Sequence, residues 1–279
     1  MNTGLTLGIR RFALAWRMAI RITALNIRAR LEYRAEFLLS LLLGAIWQAS
    51  VLIFVSILLA RFPGMGGWSQ GDILLLASMR LTSHGLHVAI FANINFLHTV
   101  IQEGRIDGYL LRPLPVFRQV LLNKFHVNAI GDLLIALTLF GAALSQIDME
   151  WTAARIFYLF CAILGGTMTE AAAQTALSST ALRFPVAFPA WSGWLEEQMS
   201  TFGNYPLSIL PDPVRGFFTF VIPVAFISYF PASVLTGHST ESRVPYFVVI
   251  GSPVVGLCLF IGARLLWVRG LRSYQGIGG

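Results

Sequence analysis

The chain reads as an all-α membrane protein whose bundle crosses the bilayer six times. Two observations carry this: several long apolar stretches lie between Phe37 and Trp267, and the positive charge falls almost entirely on one side of them. Of 279 residues, 56% are hydrophobic and 12% charged, against about 25% charged in soluble domains. A crossing needs about 20 mostly apolar residues to span roughly 30 Å of hydrocarbon. Phe37–Ala60, Ile73–Leu97, Val116–Leu144 and Ala153–Leu182 meet that requirement, and Tyr246–Val268 closes the chain. Between them, Phe184–Thr236 is apolar but broken by prolines, and it has to supply one more crossing or a re-entrant piece.

Orientation follows from the basic residues, because Lys and Arg in short loops stay cytoplasmic. With six crossings and an inside amino terminus, the inner side collects Arg10, Arg11, Arg17, Arg21, Arg28, Arg30, Arg34, Arg105, Arg112, Arg118, Lys124, Arg183, Arg264, Arg269 and Arg272. The outer side keeps Arg61, Arg155, Arg215 and Arg243, with Asp148, Glu150 and Glu241 close by. Arg80 lies inside a span. Both termini inside requires an even number of crossings, and six fits. The net charge of +7 would suggest nucleic acid in a soluble protein; here cytoplasmic loops facing an anionic leaflet account for it, and no nucleic-acid partner is expected. Cys161 and Cys258 fall within spans, so no disulfide framework is implied. No cleavable signal and no internal repeat is visible, so residues 1–279 read as a single transmembrane domain.

Within that domain, residues 1–35 precede the bundle of residues 36–270. Leu5–Arg34 is too charged to span. On a helical wheel Arg10, Arg17, Arg21 and Arg28 share one face, with Phe12, Trp16, Ile20 and Leu31 roughly opposite. That is the pattern of a helix lying in the membrane interface with its arginines toward lipid phosphates.

The loop between the second and third spans, Thr99–Val116, reads TVIQEGRIDGYLLRPLPV. Gly104 and Gly108 loosen the chain, and Pro113 and Pro115 stop any helix. Ile106, Tyr109, Leu110 and Leu111 are too apolar for a loop that merely sits in water, and Glu103, Arg105, Asp107 and Arg112 surround them. Two readings fit: an element gripped by a soluble partner, or a turn whose apolar residues dip into the interface.

Three spans carry polar stripes. Arg80, His84, His87, Asn95 and His98 share one stripe of the second span, with Phe91 among them; Asn128 and Asp132 lie one turn apart in the third; Thr167, Glu170, Gln174 and Ser178 share a face of the fourth. Ionisable groups at membrane depth usually face a bundle interior or a water-filled path. Arg80, His84, His87, Asn95, Asp132, Glu170 and Gln174 are therefore candidates to line a path for polar or amphipathic cargo, the alternative being interhelical glue. Counting about 1.5 Å per residue places His87 and Asp132 at similar depth, so Asp132 is expected to pair with His84, His87 or Arg80. Gly165–Gly166 and Gly141 are read as packing positions.

The order of these elements resembles the permease subunit of ABC-2 (type V) ATP-binding-cassette exporters. NYPLSILPDPVRGFFTFVIPVAFISYFPASVLTG at Asn204–Gly237 is similar to that family's stretch before the last span, and EGRIDGYLLRPL at Glu103–Leu114 resembles the loop of small unfused bacterial ABC-2 permeases. The resemblance implies six helices per subunit, a second permease subunit, identical or paralogous, and two separate ABC ATPase subunits that hold ATP and Mg. It implies that Glu103, Gly104, Arg105, Ile106, Asp107, Gly108, Tyr109, Leu110, Leu111, Arg112 and Pro113 couple to the ATPase. Re-entrant outer helices would include Tyr205, Pro206, Pro211, Arg215, Pro223 and Pro231. A multi-pass position in the bacterial cytoplasmic membrane, among its lipids, is implied too. The fifth crossing then falls at about Pro185–Phe202, whereas hydropathy alone prefers Phe217–Thr236; both give the same parity.

No G-x-x-x-x-G-K-[ST] loop occurs and Lys124 is the only lysine, so ATP hydrolysis has to come from another chain. His84 and His87 are too few to make a metal site, and no catalytic motif is present, so the chain is not read as an enzyme. The competing function is a secondary transporter or channel that uses the intramembrane polar residues without an ATPase. It would be marked by paired interrupted helices in two related halves, and the sequence has no such symmetry.

Overall fold

The computed structural model describes residues 34–61, 66–147 and 149–276, and, in the amino-terminal segment, residues 17, 21–22, 24–28 and 32. The described elements are helical. The long helices are α1 (Arg34–Arg61), α2 (Gln70–Phe91), α6 (Asn128–Leu144), α7 (Ala153–Ala181), α8 (Phe188–Phe202) and α12 (Ser252–Arg272). Short helices join them: α3 (Leu97–Gln102), α4 (Arg105–Leu110), α5 (Val116–Leu121), α9 (Asp212–Phe220), α10 (Tyr229–Thr236) and α11 (Tyr246–Ile250). Among the described residues, Gln70–Gln102, Ala153–Ala181 and Ser252–Arg272 are long and apolar enough to cross a membrane. The 28 residues of α1 extend about 42 Å, and no charge lies between Phe37 and Ala60.

Capping sets where these helices begin. The Ser69 hydroxyl accepts from Asp72 N at 3.2 Å and Asp72 Oδ2 accepts from Ser69 N at 2.9 Å, a reciprocal box at the start of α2. Thr152 accepts from Arg155 N at the start of α7. Pro253 sits in the first turn of α12, where its missing N–H removes nothing the helix would use. The stretch Tyr246–Val268 is accordingly two helices that meet at Gly251.

Two further expected spans differ in detail. Val116–Leu144 is interrupted after α5, leaving α6 with 17 residues. The carbonyls of Leu121 and Lys124 at the break accept from Asn93 Nδ2 at 2.8 and 2.7 Å. Asn93 lies in the 3₁₀ stretch Ala92–Phe96 that continues α2, so an amide from one helix satisfies the backbone where another stops. Within Phe184–Thr236, Phe188–Phe202 is one helix, whereas Phe217–Thr236 is divided among α9, a 3₁₀ turn at Val224–Phe226 and α10. Pro223 lacks the N–H a continuous helix needs and restricts Ile222. Tyr205, Pro206, Pro211, Arg215, Pro223 and Pro231 fall on these short pieces and their joints, with Arg215 buried and paired to Asp212, which Arg243 also contacts.

Helix α2 is the centre of the bundle, flanked by α6 and α7; α1 lies on α6, and α12 lies along α7. Among the described residues the apolar core has two large parts and a small third at Val88, Ala92 and Ala129. One large part surrounds Trp68, Leu75, Met79, Phe226 and Phe230; the other surrounds Ile94, Leu97, Ile106, Phe117, Phe188 and Trp267. Along α2 the first part ends at Leu81 and the second begins at Phe91. Outward-facing leucines and isoleucines on α1, among them Leu38, Leu42, Leu43, Ile46, Ile53 and Ile57, are exposed in the single chain, as a lipid- or partner-facing surface would be. Of the amino-terminal arginines, Arg17, Arg21 and Arg28 lie in helical pieces and are exposed, and Arg10 lies outside the described residues. Asn26 Nδ2 donates to Leu122 O at 3.0 Å, tying this segment to the break after α5.

The α7–α12 contact depends on absent side chains. A Cβ on Gly256 would stand 2.2 Å from the Gly165 carbonyl oxygen, and one on Gly165 would stand 2.4 Å from Pro253 Cα. Gly166 faces the other way, where a Cβ would meet Ile227 O at 2.5 Å and Ser83 Oγ at 2.6 Å. Gly141, expected to act alike, does not: among the described residues nothing lies within 4 Å of where its Cβ would stand. Gly256→Ala is therefore expected to lower the melting temperature in detergent by an overpacking penalty of about 1–3 kcal/mol. Gly141→Ala should leave it unchanged or raise it, since Ala favours helix by up to about 1 kcal/mol.

Candidate functional site

Between the two apolar clusters lies a layer of charge. Arg80, His84 and His87 recur along one face of α2 at helical spacing, and Glu170 meets them from α7. Arg80 Nη1 donates to Glu170 Oε2 at 3.2 Å, and His84 Nδ1 lies 2.6 Å from Glu170 Oε1. A carboxylate only accepts, so His84 Nδ1 carries the hydrogen. The side chains of Arg80 and Glu170 are each 3% exposed and that of His84 is 19% exposed.

Helix α8 completes the layer. Arg80 Nε donates to Met199 O at 3.3 Å, which also accepts from Gly203 N at 3.1 Å, near the carboxyl end of α8, where the negative end of the helix dipole favours a cation. A Cβ on Gly203 would sit 2.7 Å from Arg80 Nε, so a glycine is what lets the guanidinium approach. Ser192 of α8 donates to Gln174 Oε1 at 3.2 Å, one turn along α7 from Glu170. Asn95 Nδ2 donates to Glu196 Oε2 at 3.4 Å. Thr167 Oγ1 donates to Ser83 O at 3.2 Å, joining α7 to α2.

All the sequence-predicted interior residues are buried or half-buried: Arg80, His87, Asp132, Glu170 and Gln174 are buried, and His84 and Asn95 are intermediate. Arg80 and His84 share Glu170 as their carboxylate. Asp132 is within electrostatic reach of His84. His87 stacks between His84 and Phe91, with centroids 6.4 and 6.1 Å away, and neither ring nitrogen has a hydrogen-bond partner among the described residues. Sequence reasoning missed Asn93, Ser192 and Gly203. Each acts through a backbone carbonyl or a neighbouring helix, and no sequence spacing signals that.

At one end of the bundle, Glu103–Pro113 forms a braced projection. Gly104 takes φ +69°, a left-handed conformation suited to glycine, and α4 starts directly after it. Ile106 and Tyr109 are buried in the cluster below. Arg105 Nη1 and Tyr109 OH both donate to Asn123 Oδ1, at 3.1 and 3.3 Å, and Glu103 pairs with Arg105 at 2.5 Å. Gln119 Nε2 donates to the carbonyls of Tyr109 and Leu114 at 2.8 and 2.7 Å. The opposite face carries Asp107, Gly108, Leu110, Leu111, Arg112 and Pro113, all exposed, with Leu111 89% so.

A family model described as ABC-2 family transporter protein matches residues 45–278. Comparison with curated proteins and with solved structures finds no match.

Breaking a buried ion pair by removing one partner costs about 3–5 kcal/mol, because the other charge is left uncompensated, whereas replacing both with apolar groups is often neutral. Arg80→Met and Glu170→Met are each expected to lower the melting temperature of the purified protein sharply. The double variant should be more stable than either single variant. Additive losses in that cycle would mean that the two side chains are not energetically coupled.

Proposed function

The chain belongs to the ABC-2 family of transporter proteins, and on that footing we propose that it is the membrane-spanning permease of an ATP-driven exporter, forming half of a pathway completed by a second permease subunit. As a permease of an ABC-type transporter it is a membrane protein and a transport subunit. In this reading both termini and α4 face the cytoplasm of a bacterial cell, and separate ABC ATPase subunits bind ATP and Mg and hydrolyse the nucleotide. Helix α8 is the fifth crossing; its 15 residues extend about 22 Å, short for a bilayer and suited to a helix packed among others. The short helices that follow it form a re-entrant outer layer.

The observation that carries this reading is the Glu103–Pro113 projection. Two leucines are presented outward on a base fixed by Asn123 and Gln119. Exposed leucines at the tip of a rigid element suit the groove of a soluble partner, since burying one stabilises a complex by about 1.5–3 kcal/mol. Arg80, His84, His87, Asn95, Asp132, Glu170 and Gln174 form the polar interior of this half-pathway.

Leu111→Asp should leave the permease folded, because the side chain touches little of its own chain, and should weaken ATPase association at least about tenfold. The amount of ATPase subunit that co-purifies in mild detergent measures this directly. Unchanged co-purification, together with labelling of Leu111→Cys by impermeant reagents from outside intact cells, would overturn both the coupling role and the orientation.

A further inference from the structure

Beyond α12 the chain turns back onto α4. The ring of Tyr274 packs against the cluster that contains Ile106, Tyr109, Phe117 and Trp267. Two residues later, a Cβ on Gly276 would lie 3.6 Å from Asp107 Oδ1. Burial and the adjacent Asp107 carboxylate push the Tyr274 phenol above its ordinary range. The α4 projection is thus held on two sides: by Asn123 and Gln119 following and within α5, and by the segment that follows α12.

We propose that Tyr274 is a positioning residue that fixes α4 to the last helix, so that displacement of the projection is delivered to α12. This rests on the reading of α4 as the element that seats on the ATPase. The onward route is packed. Trp267 of α12 meets Phe117 edge-on with centroids 5.1 Å apart, and Arg264 lies 3.5 Å over the Phe117 ring. Further along, the Gly256–Gly165 contact presses α12 on α7 five residues before Glu170. Through α12, a push on α4 reaches the helix that carries the buried carboxylate. Held by α5 alone, the projection would move with the α5–α6 segment and leave α12 behind.

The test measures the separation of α4 and α12 in the assembled complex. Spin labels are placed at Gly108→Cys and Arg269→Cys, both exposed positions, with Cys161 and Cys258 replaced by serine, and ATPase that co-purifies with the labelled chain shows that the label on the outer face of α4 leaves the complex assembled. Their distance distribution is recorded without nucleotide and after trapping with ATP and vanadate. The separation is expected to stay fixed across the two states in the otherwise native chain and in Tyr274→Phe. In Tyr274→Ala it should lose that constancy and broaden or shift on trapping. A separation that changes equally in the native chain, or that stays fixed in Tyr274→Ala, would overturn the proposal. Co-purification of the ATPase with Tyr274→Ala shows that the variant is folded. If ATPase fails to associate with the native chain at all, the coupling reading fails; if it associates while the separation is not held by Tyr274, only this inference fails.

Discussion

Glu170 accepts from Arg80 on one oxygen and lies against His84 on the other, and the arrangement of α2, α7 and α8 follows from keeping that carboxylate satisfied. A charge at the centre of a lipid-facing helix costs at least about 2.5–3.5 kcal/mol, so α7 has to turn this face inward and α2 has to meet it. The guanidinium, in turn, draws the carboxyl end of α8 to itself through Met199 O, which Gly203 permits. The two apolar clusters lie on either side of this layer and bury their aliphatic and aromatic groups with no ion pair among them. Polar contacts therefore set which helices meet, and close-packed glycines set how near they come.

Parts of this were legible in the sequence, and for clear reasons. The regions of α1, α7 and α12 announce themselves because about 20 apolar residues have few other uses. The polar stripes were legible because a single α-helix imposes their spacing. The partner of Arg80 was not. Counted from the start of each helix, Arg80 and Glu170 differ in depth by about 10 Å, yet they pair at 3.2 Å, because helix starts are staggered and arginine is long. The break before α6 was hidden for a similar reason: Val116–Leu144 is apolar enough to read as one span, and what allows it to stop is an amide from Asn93 on another helix. Helix α8 is too polar and too short to be found by hydropathy, and its place came from the resemblance of the segment after it to ABC-2 permeases. The expectation for Gly141 failed because a glycine in a helix does not reveal what lies opposite.

The α4 projection and the charged layer are separated by the end of α2, the 3₁₀ stretch Ala92–Phe96 and α3, but they share neighbours. The cluster that receives Ile106 and Tyr109 from the projection also receives Ala171 from α7 and Trp267 from α12. A soluble subunit pulling on Leu110 and Leu111 would act on a base bonded to α5 and packed on α12, and from there on the helix that holds Glu170. That geometry suits a permease in which work done outside the membrane has to change contacts within it.

On the proposed reading this chain works as one of two permease subunits driven by separate ATPases. The most direct test is the mass of the intact complex, purified in mild detergent from cells expressing the chain with its genetic neighbours. Two permease chains, each of 30.8 kDa if both are this one, together with two ATPase subunits, is the predicted composition. A fully active transporter containing a single copy of this chain and no ATPase would contradict it.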